Sequence, residues 1–396
     1  MNKRIFLKIL LVLGFVALLA GCVQIFEEET KEEATAEGGE VVIGALLPLS
    51  GEAAVYGMPA QKVLQIAAKE INDAGGIKGK KIKLEFEDGG CSADMANKAI
   101  NNLVSLKKVK FIVGGFCSSE TLTAAPVVEE NKVVLLSPAS SSPKITTAGD
   151  FVFRNYPSDN AQGEAFADYA SKKGFKKVGI LVEEQPYTEG IADTFTALFT
   201  KTGGEAVQEK FAKDASDFRT QITKLQEAKV EVFFVDMQAP PKAGIIVKQL
   251  QEAGVKGPLM LNDVAIDAKK EVIEPFKDYV EGSVGALVPY DKANPALPKL
   301  LEAYKALANG EELPYLSYMT PSYDTLFIFK EAIEAVGEDS VKVKNYLYTV
   351  KGRKGLAGTL SFDANGDPGS EYRHALKIVK NGVAEDYVEA AAPAAK

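Results

Sequence analysis

The chain has no tryptophan, one histidine (His374) and three cysteines in 396 residues. A lone histidine leaves Ser-His-Asp or Cys-His catalysis, and any multi-histidine metal site, with one residue to rest on. We read His374 as structural. Basic residues are also short: 46 Lys and Arg face 54 Asp and Glu, a formal net charge of −8. A nucleic-acid binder needs clustered basic surface to neutralise phosphates, and the sequence holds no such cluster, so nucleic acid is set aside as a partner. What remains is an ordinary globular balance, 46% hydrophobic and 25% charged. At this length a single core stops growing, and two lobes of about 150 to 200 residues are expected.

Met1 to Cys22, MNKRIFLKILLVLGFVALLAGC, starts basic, runs apolar from Ile5 to Ala20 with only Lys8 interrupting, and ends on small residues before a cysteine. Its uninterrupted part, Ile9 to Ala20, is too short for a bilayer core that takes about 20 residues. The pattern is that of an export signal. Its ending, Leu19-Ala20-Gly21-Cys22, resembles the lipobox of bacterial-type lipoproteins, which implies cleavage before Cys22 and diacylation of its thiol. Residues 1–21 are thus expected to be a signal peptide, and the product to be exported and lipid-anchored at the outer face of the cell membrane, or periplasmic. Losing Lys3, Arg4 and Lys8 leaves 43 basic against 54 acidic residues, or −11. Residues 23–40 hold seven glutamates against Lys31 alone, too polar to bury a core. Residues 22–40 are read as an acidic tether.

From Glu40 onward short β-rich runs alternate with helical periods. Strands are expected at Val41 to Leu47, Lys81 to Phe86, Lys110 to Val113 and Val133 to Leu136, with helices at Pro59 to Asp73, Ala93 to Leu106 and Ala125 to Glu130 between them. A second series follows Phe151 to Arg154, with helices at Ala161 to Lys173, Gly190 to Thr202, Asp217 to Ala228 and Lys242 to Ala253, and strands at Lys177 to Val182, Val230 to Val235 and Leu259 to Leu261. Further helices are expected near Leu297 to Ala308, Tyr323 to Val336 and Val341 to Val350. The last β runs carry the turn signals Asn365-Gly366 and Asn381-Gly382. This alternation predicts an α/β fold of two Rossmann-like lobes with parallel sheets. Ligands of such sheets bind beyond the carboxyl ends of the strands, which directs attention to the loops after each strand.

With Cys22 given to lipid, Cys91 and Cys117 remain as an even pair in an exported protein, where disulfides persist. Each follows an expected strand, so we expect them to be bonded. Two loops are crowded with hydroxyls, Phe116-Cys117-Ser118-Ser119 and Ser137-Pro138-Ala139-Ser140-Ser141-Ser142. Hydroxyls and free N–H groups at such places suit a carboxylate, but from the pattern alone ordinary helix capping accounts for them first.

The runs IGALLPLSGEAAVYG, INDAGGIKGKKIKLEFED with Cys91, IVGGFCSSET and LLSPASSSPKIT resemble the branched-chain amino acid binding proteins of ABC transporters, a type I periplasmic binding fold. The resemblance covers about Val41 to Val388. It implies a disulfide between Cys91 and Cys117, and two lobes joined by a three-segment hinge: residues 41–157 and 289–360 in one lobe, 158–288 and 361–390 in the other, with crossings near Tyr156 to Ser158, Leu287 to Pro289 and Leu360 to Phe362. It also implies that Ser118 and Ser141 hold a ligand α-carboxylate, and that the Ala139 carbonyl, the Ser141 hydroxyl and Asp263 take its ammonium. Asp263 stands where the family has a glutamate. Tyr187 matches a tyrosine that closes over the ligand, and Tyr56 and Phe116 match pocket-lining residues. Near Gln238 the leucine-binding relatives carry a tyrosine, so ligand identity is less fixed than ligand class; Phe116, Tyr56 and Met237 together suggest a hydrophobic side chain.

No catalytic set competes with this reading. Gly75-Gly76-Ile77-Lys78-Gly79-Lys80 lacks the spacing of a phosphate loop and precedes a strand, and nothing selects an acid/base pair from carboxylates such as Glu183, Glu184 and Asp236. We therefore expect a monomeric solute-binding protein, not an enzyme, that needs no cofactor or metal and delivers an amino acid to a membrane ABC permease. The alternatives are the same fold binding a short amide, urea or aromatic acid, or serving as a sensor domain.

Overall fold

The β-rich runs assemble into two large sheets and a small two-stranded ribbon, and most strands of the large sheets are delivered by a helix that packs back on the sheet. A computed structural model describes residues 38–389; the signal segment, Cys22 and most of the tether lie outside the described residues. In chain order come β1 (Glu40–Leu47), α1 (Ala54–Asp73), β2 (Lys81–Asp88), α2 (Ala93–Asn101), β3 (Phe111–Gly114), α3 (Ser118–Asn131), β4 (Val134–Ser137) and β5 (Val152–Arg154). There follow α4 (Asp159–Lys173), β6 (Lys177–Glu183), α5 (Pro186–Lys201), β7 (Glu205–Phe211), α6 (Arg219–Glu227), β8 (Val232–Asp236), α7 (Pro240–Glu252), β9 (Met260–Leu261), α8 (Asp263–Asp267) and β10 (Val284–Leu287). The chain ends with α9 (Ala296–Leu307), α10 (Leu316–Val336), α11 (Ser340–Thr349), β11 (Arg353–Gly355), β12 (Gly358–Leu360), β13 (Ala375–Lys380) and β14 (Val383–Asp386).

The first sheet, in the order β2-β1-β3-β4-β5, is wholly parallel. The second runs β14-β13-β10-β9-β8-β6-β7, parallel except where β13 meets β10 and β14. Parallel sheets need cover on both faces, and the period-2 pattern supplies it. Leu46, Ile112, Leu135 and Val152 point to a core shared with Ile100, Leu103 and Val128 from the α2 and α3 side. Ala45, Leu47, Val113, Leu136 and Phe153 point into the main core, with Val63 and Ala67 of α1 and Phe329 of α10. Each fully buried aliphatic side chain of this kind contributes about 1.5–3 kcal/mol.

Several elements differ from the sequence expectation, each for a local reason. Helix α1 begins at Ala54, which puts Pro59 inside it, and α3 begins at Ser118, which puts Pro126 mid-helix instead of in the first turn. Tertiary packing offsets the backbone hydrogen bond each proline removes. Strand β7, EAVQEKF, pairs only with β6 and carries Glu205, Glu209 and Lys210 on its two faces, so it shows no apolar run. Strand β10, VGAL, is short and interrupted by Gly285. The Asn381-Gly382 signal forms the two-residue turn between β13 and β14, both residues at positive φ, as a type I′ hairpin requires.

The chain passes from one sheet to the other after β5, after β10 and before β13. At the first crossing Arg154, fully buried, donates from Nε and Nη2 to the two oxygens of Asp367, each at 2.6 Å. It also donates to the Ser142 carbonyl at 3.0 Å and the Thr146 hydroxyl at 2.8 Å. The Arg154 N–H meets the Gly366 carbonyl at 3.0 Å, so residues 361–368 run along the edge of the first sheet. A buried cation stripped of its partner costs about 3–5 kcal/mol. Replacing Asp367→Ala is expected to lower the unfolding free energy by that amount in a denaturant titration; a loss below about 1 kcal/mol, the range of a surface ion pair, would contradict the clamp.

Candidate functional site

Six strands end at one crevice. Tyr56 follows β1, Phe116 to Ser118 follow β3, and Ala139 to Ser141 follow β4; opposite them Tyr187 follows β6, Gln238 follows β8 and Asp263 follows β9. Tyr56, Phe116, Ser118, Ala139, Ser141, Tyr187, Gln238, Val264 and Tyr318 line a cavity of about 20 Å³ there. That is room for about one water, so a larger ligand needs the two sides to part and close again.

The first wall is built on backbone carbonyls and hydroxyls. The Gly115 carbonyl accepts from Thr121 at 3.0 Å, Ser137 at 2.7 Å and Ser140 at 2.8 Å, which ties the loop after β3 to the loop after β4. A side chain at Gly115 would overlap Glu120. The Ser118 hydroxyl oxygen accepts the N–H groups of Ser141 at 3.3 Å and Ser142 at 3.1 Å. Among the described residues its own proton has no acceptor, and Ser118 borders the cavity. Helix α3 starts at this residue, so the positive end of its dipole faces the same space.

Behind that wall Cys91 and Cys117 are disulfide-bonded, their Cα atoms 5.3 Å apart. Closing a loop of this length contributes about 3 kcal/mol. Glu120 fastens the joint, accepting the N–H groups of Cys117 at 3.0 Å, Cys91 at 3.0 Å and Phe116 at 2.8 Å. Burial pushes its carboxyl up to about 7, against the pull of those three donors. Among the described residues Cys91, Cys117 and Glu120 are the one cluster with metal-ligand proximity, and the sulfurs are already spent on each other.

The second wall centres on Asp263, fully buried at the start of α8. Its carboxylate accepts from Tyr318 Oη at 2.6 Å, Tyr156 Oη at 3.2 Å and Gln162 Nε2 at 3.2 Å, and from the Tyr187 hydroxyl. His374 Nε2 lies 3.8 Å from Oδ2. Burial alone would raise this carboxyl, but His374 and the Tyr187 and Tyr318 hydroxyls outweigh it and hold Asp263 below the usual carboxylate range. Two neighbours behave oppositely. Burial, then the charge on Asp263, pushes Asp159 well up; burial, then nearby Asp159 and Asp263, outweighs the Asn262 bond and does the same to Asp236. Each leaves its Oδ2 without a partner among the described residues. Asp263 is therefore the carboxylate of the three that keeps its charge.

Contacts across the crevice hold its mouth. Lys213 Nζ donates to the carbonyls of Gly90 at 3.0 Å and Cys91 at 2.8 Å. Buried Lys242 pairs with Glu183 at 2.9 Å on its own side and reaches Glu52 at 3.3 Å on the other. Gly190 lets α5 come against Pro143, where a side chain would overlap the proline ring.

Of the residues read from the sequence, Tyr56, Phe116, Ser118, Ala139, Ser141 and Tyr187 share the cavity wall, and Asp263 lies directly behind Tyr187 and Tyr318. Met237 does not line the cavity: it is fully buried, and its carbonyl accepts from Asn262 at 2.8 Å, while neighbouring Gln238 takes the wall position. Sequence reasoning missed Tyr318, Tyr156, Gln162 and His374. Tyr318 lies before the expected start of its helix, and His374 is far from Asp263 in sequence, so no local pattern joins them. A larger cavity of about 520 Å³ lies between α4 and β13, but no strand of the parallel series ends there.

The family model of periplasmic binding proteins matches residues 40–380. A Leu/Ile/Val-binding protein homolog of Brucella melitensis is 29% identical over 340 residues, 84% of this chain and 90% of the relative. The solved leucine binding protein LivK of Thermotoga maritima has a TM-score of 0.78 at 29% identity, over 88% of this chain and 98% of its own. The branched-chain amino acid binding protein LivJ of Streptococcus pneumoniae, solved with isoleucine, gives 0.74 at 26% over 88% and 99%. The chain therefore belongs to the periplasmic binding protein family, with the type I fold of the branched-chain amino acid binding proteins, and it is a solute-binding protein of transport, not an enzyme.

Proposed function

We propose that the protein is an exported, lipid-anchored monomer that captures an amino acid with a hydrophobic or branched side chain and presents it to an ABC permease. The observation that carries this reading is the pairing of opposites across the crevice: a buried, charged Asp263 on one wall, and the Ser118 hydroxyl at a helix N-terminus on the other. A zwitterion complements both. Ser118 and Ser141 take the α-carboxylate; the Ala139 carbonyl, the Ser141 hydroxyl and Asp263 take the ammonium. The four lone-pair sites of Asp263 are filled by donors, so the ammonium replaces a phenol hydroxyl of Tyr187 or Tyr318, which come from opposite walls. Tyr56 and Phe116 receive the side chain.

We assign one lobe to residues 41–157 and 289–368 and the other to 158–288 and 369–389. The Arg154 clamp on Asp367 supports a third crossing after Pro368, later than the expected 360–362. Closure about these crossings is the hinge motion of such folds. Cys22 is assigned as the lipid anchor and residues 22–39 as the tether, which ends where β1 begins. A second reading, an aromatic carboxylic acid, is favoured by the same saturation of Asp263, since such a ligand needs no ammonium partner and the wall is rich in rings.

Ligand class is tested by thermal shift over amino acids, short amides and aromatic acids, where 100-fold excess over Kd stabilises by about 2.7 kcal/mol. Hydrophobic or branched-chain amino acids are expected to shift the melting point, and Asp263→Ala to abolish the shift. Shifts by amides or aromatic acids alone, or an unaffected Asp263→Ala, would contradict the assignment. For the mouth of the crevice, Lys213→Met is expected to speed ligand dissociation about tenfold with little change in association; an unchanged dissociation rate would remove Lys213 from closure. For the anchor, mass spectrometry of the exported protein is expected to find a diacylated N-terminal Cys22, and an unmodified or differently cleaved N-terminus would contradict it.

A further inference from the structure

The hydroxyls of Tyr156, Tyr187 and Tyr318 all go to Asp263. Tyr56 differs. Its ring is buried and fixed on three sides, with centroids 6.0 Å from Phe116, 4.6 Å from Tyr315 and 5.3 Å from Tyr318. Its hydroxyl is buried too, and among the described residues it has no hydrogen-bond partner. Tyr56 borders the cavity beside Phe116, and Gln238 stands on the same cavity wall. The Gln238 carboxamide also has no hydrogen-bond partner among the described residues, its backbone N–H alone being bonded, to Glu183 at 2.9 Å.

A buried hydroxyl left unpaired is unfavourable. A site that offers such a group discriminates strongly against a ligand unable to pair with it, whereas an apolar pocket discriminates weakly. A purely aliphatic side chain seated beside Phe116 would leave the Tyr56 hydroxyl unpaired. We infer that the side chain of the ligand is apolar along its body and carries one hydrogen-bonding group, a hydroxyl or an amide, that pairs with the Tyr56 hydroxyl. The inference rests on the amino-acid reading above and narrows it. It makes Tyr56 a specificity-determining residue, not only a ring in an apolar wall.

Isothermal titration of the purified full-length protein with amino acids of matched shape tests it: threonine against valine, tyrosine against phenylalanine, asparagine against leucine. In at least one pair the polar member is expected to bind about tenfold or more tightly. Tyr56→Phe is expected to bring that ratio close to one, mainly by weakening the polar member. Equal or tighter binding of the apolar member in every pair would overturn the inference and leave the amino-acid reading standing. So would a ratio unchanged by Tyr56→Phe. Binding of aromatic acids with no amino acid bound at all would overturn both.

Discussion

A carboxylate sealed from water must either take a proton or be surrounded by donors, and Asp263 takes the second course. Three phenol hydroxyls, one amide and a histidine converge on it from α4, α5, α10 and the segments at the first and third crossings. Tyr318 comes from the side of the first sheet, Tyr187 from the second. The charge proposed to meet a ligand ammonium is thus also the point on which the two sides of the crevice meet. Asp159 and Asp236 sit close by without such a shell, and both are pushed toward the neutral form.

The fold makes this convergence possible without long loops. Parallel strands all finish at the same edge, so the loops after β1, β3 and β4 meet those after β6, β8 and β9 across one gap. The first wall is stiff: a disulfide, the Glu120 carboxylate and the Gly115 carbonyl bind its two loops into one piece. The second wall is tied to it by a few contacts at the mouth and by crossings clamped through Arg154. Stiff walls joined by three chain crossings suit the proposed capture and release, since a ligand shifts such an equilibrium only by the difference in its contacts between the two forms.

Much of this was legible in the sequence. Alternation of β runs with helical periods is set by burial of both sheet faces, so elements such as β1, β3, β4, β6 and β8 stand out. The bonded pair Cys91 and Cys117 followed from counting cysteines in an exported chain. The hydroxyl loops and Tyr187 were visible as polar segments after strands. What escaped depends on distance in the chain. Tyr156, Gln162, Tyr318 and His374 meet at Asp263 only because three crossings bring their segments together, and β7 and β10 lack the apolar runs that mark a strand. Met237 misled in the opposite way: an apolar residue beside a site is as well used by the core, and it is Gln238 that faces the cavity.

The central claim is that the charge on Asp263 is there for a ligand ammonium. Calorimetric titration of the protein with its best amino acid, and with the 2-hydroxy acid of the same side chain, isolates that one group. Removing one member of a buried charge pair costs enough for the amino acid to bind at least about 100-fold more tightly. A hydroxy acid bound equally well would contradict it.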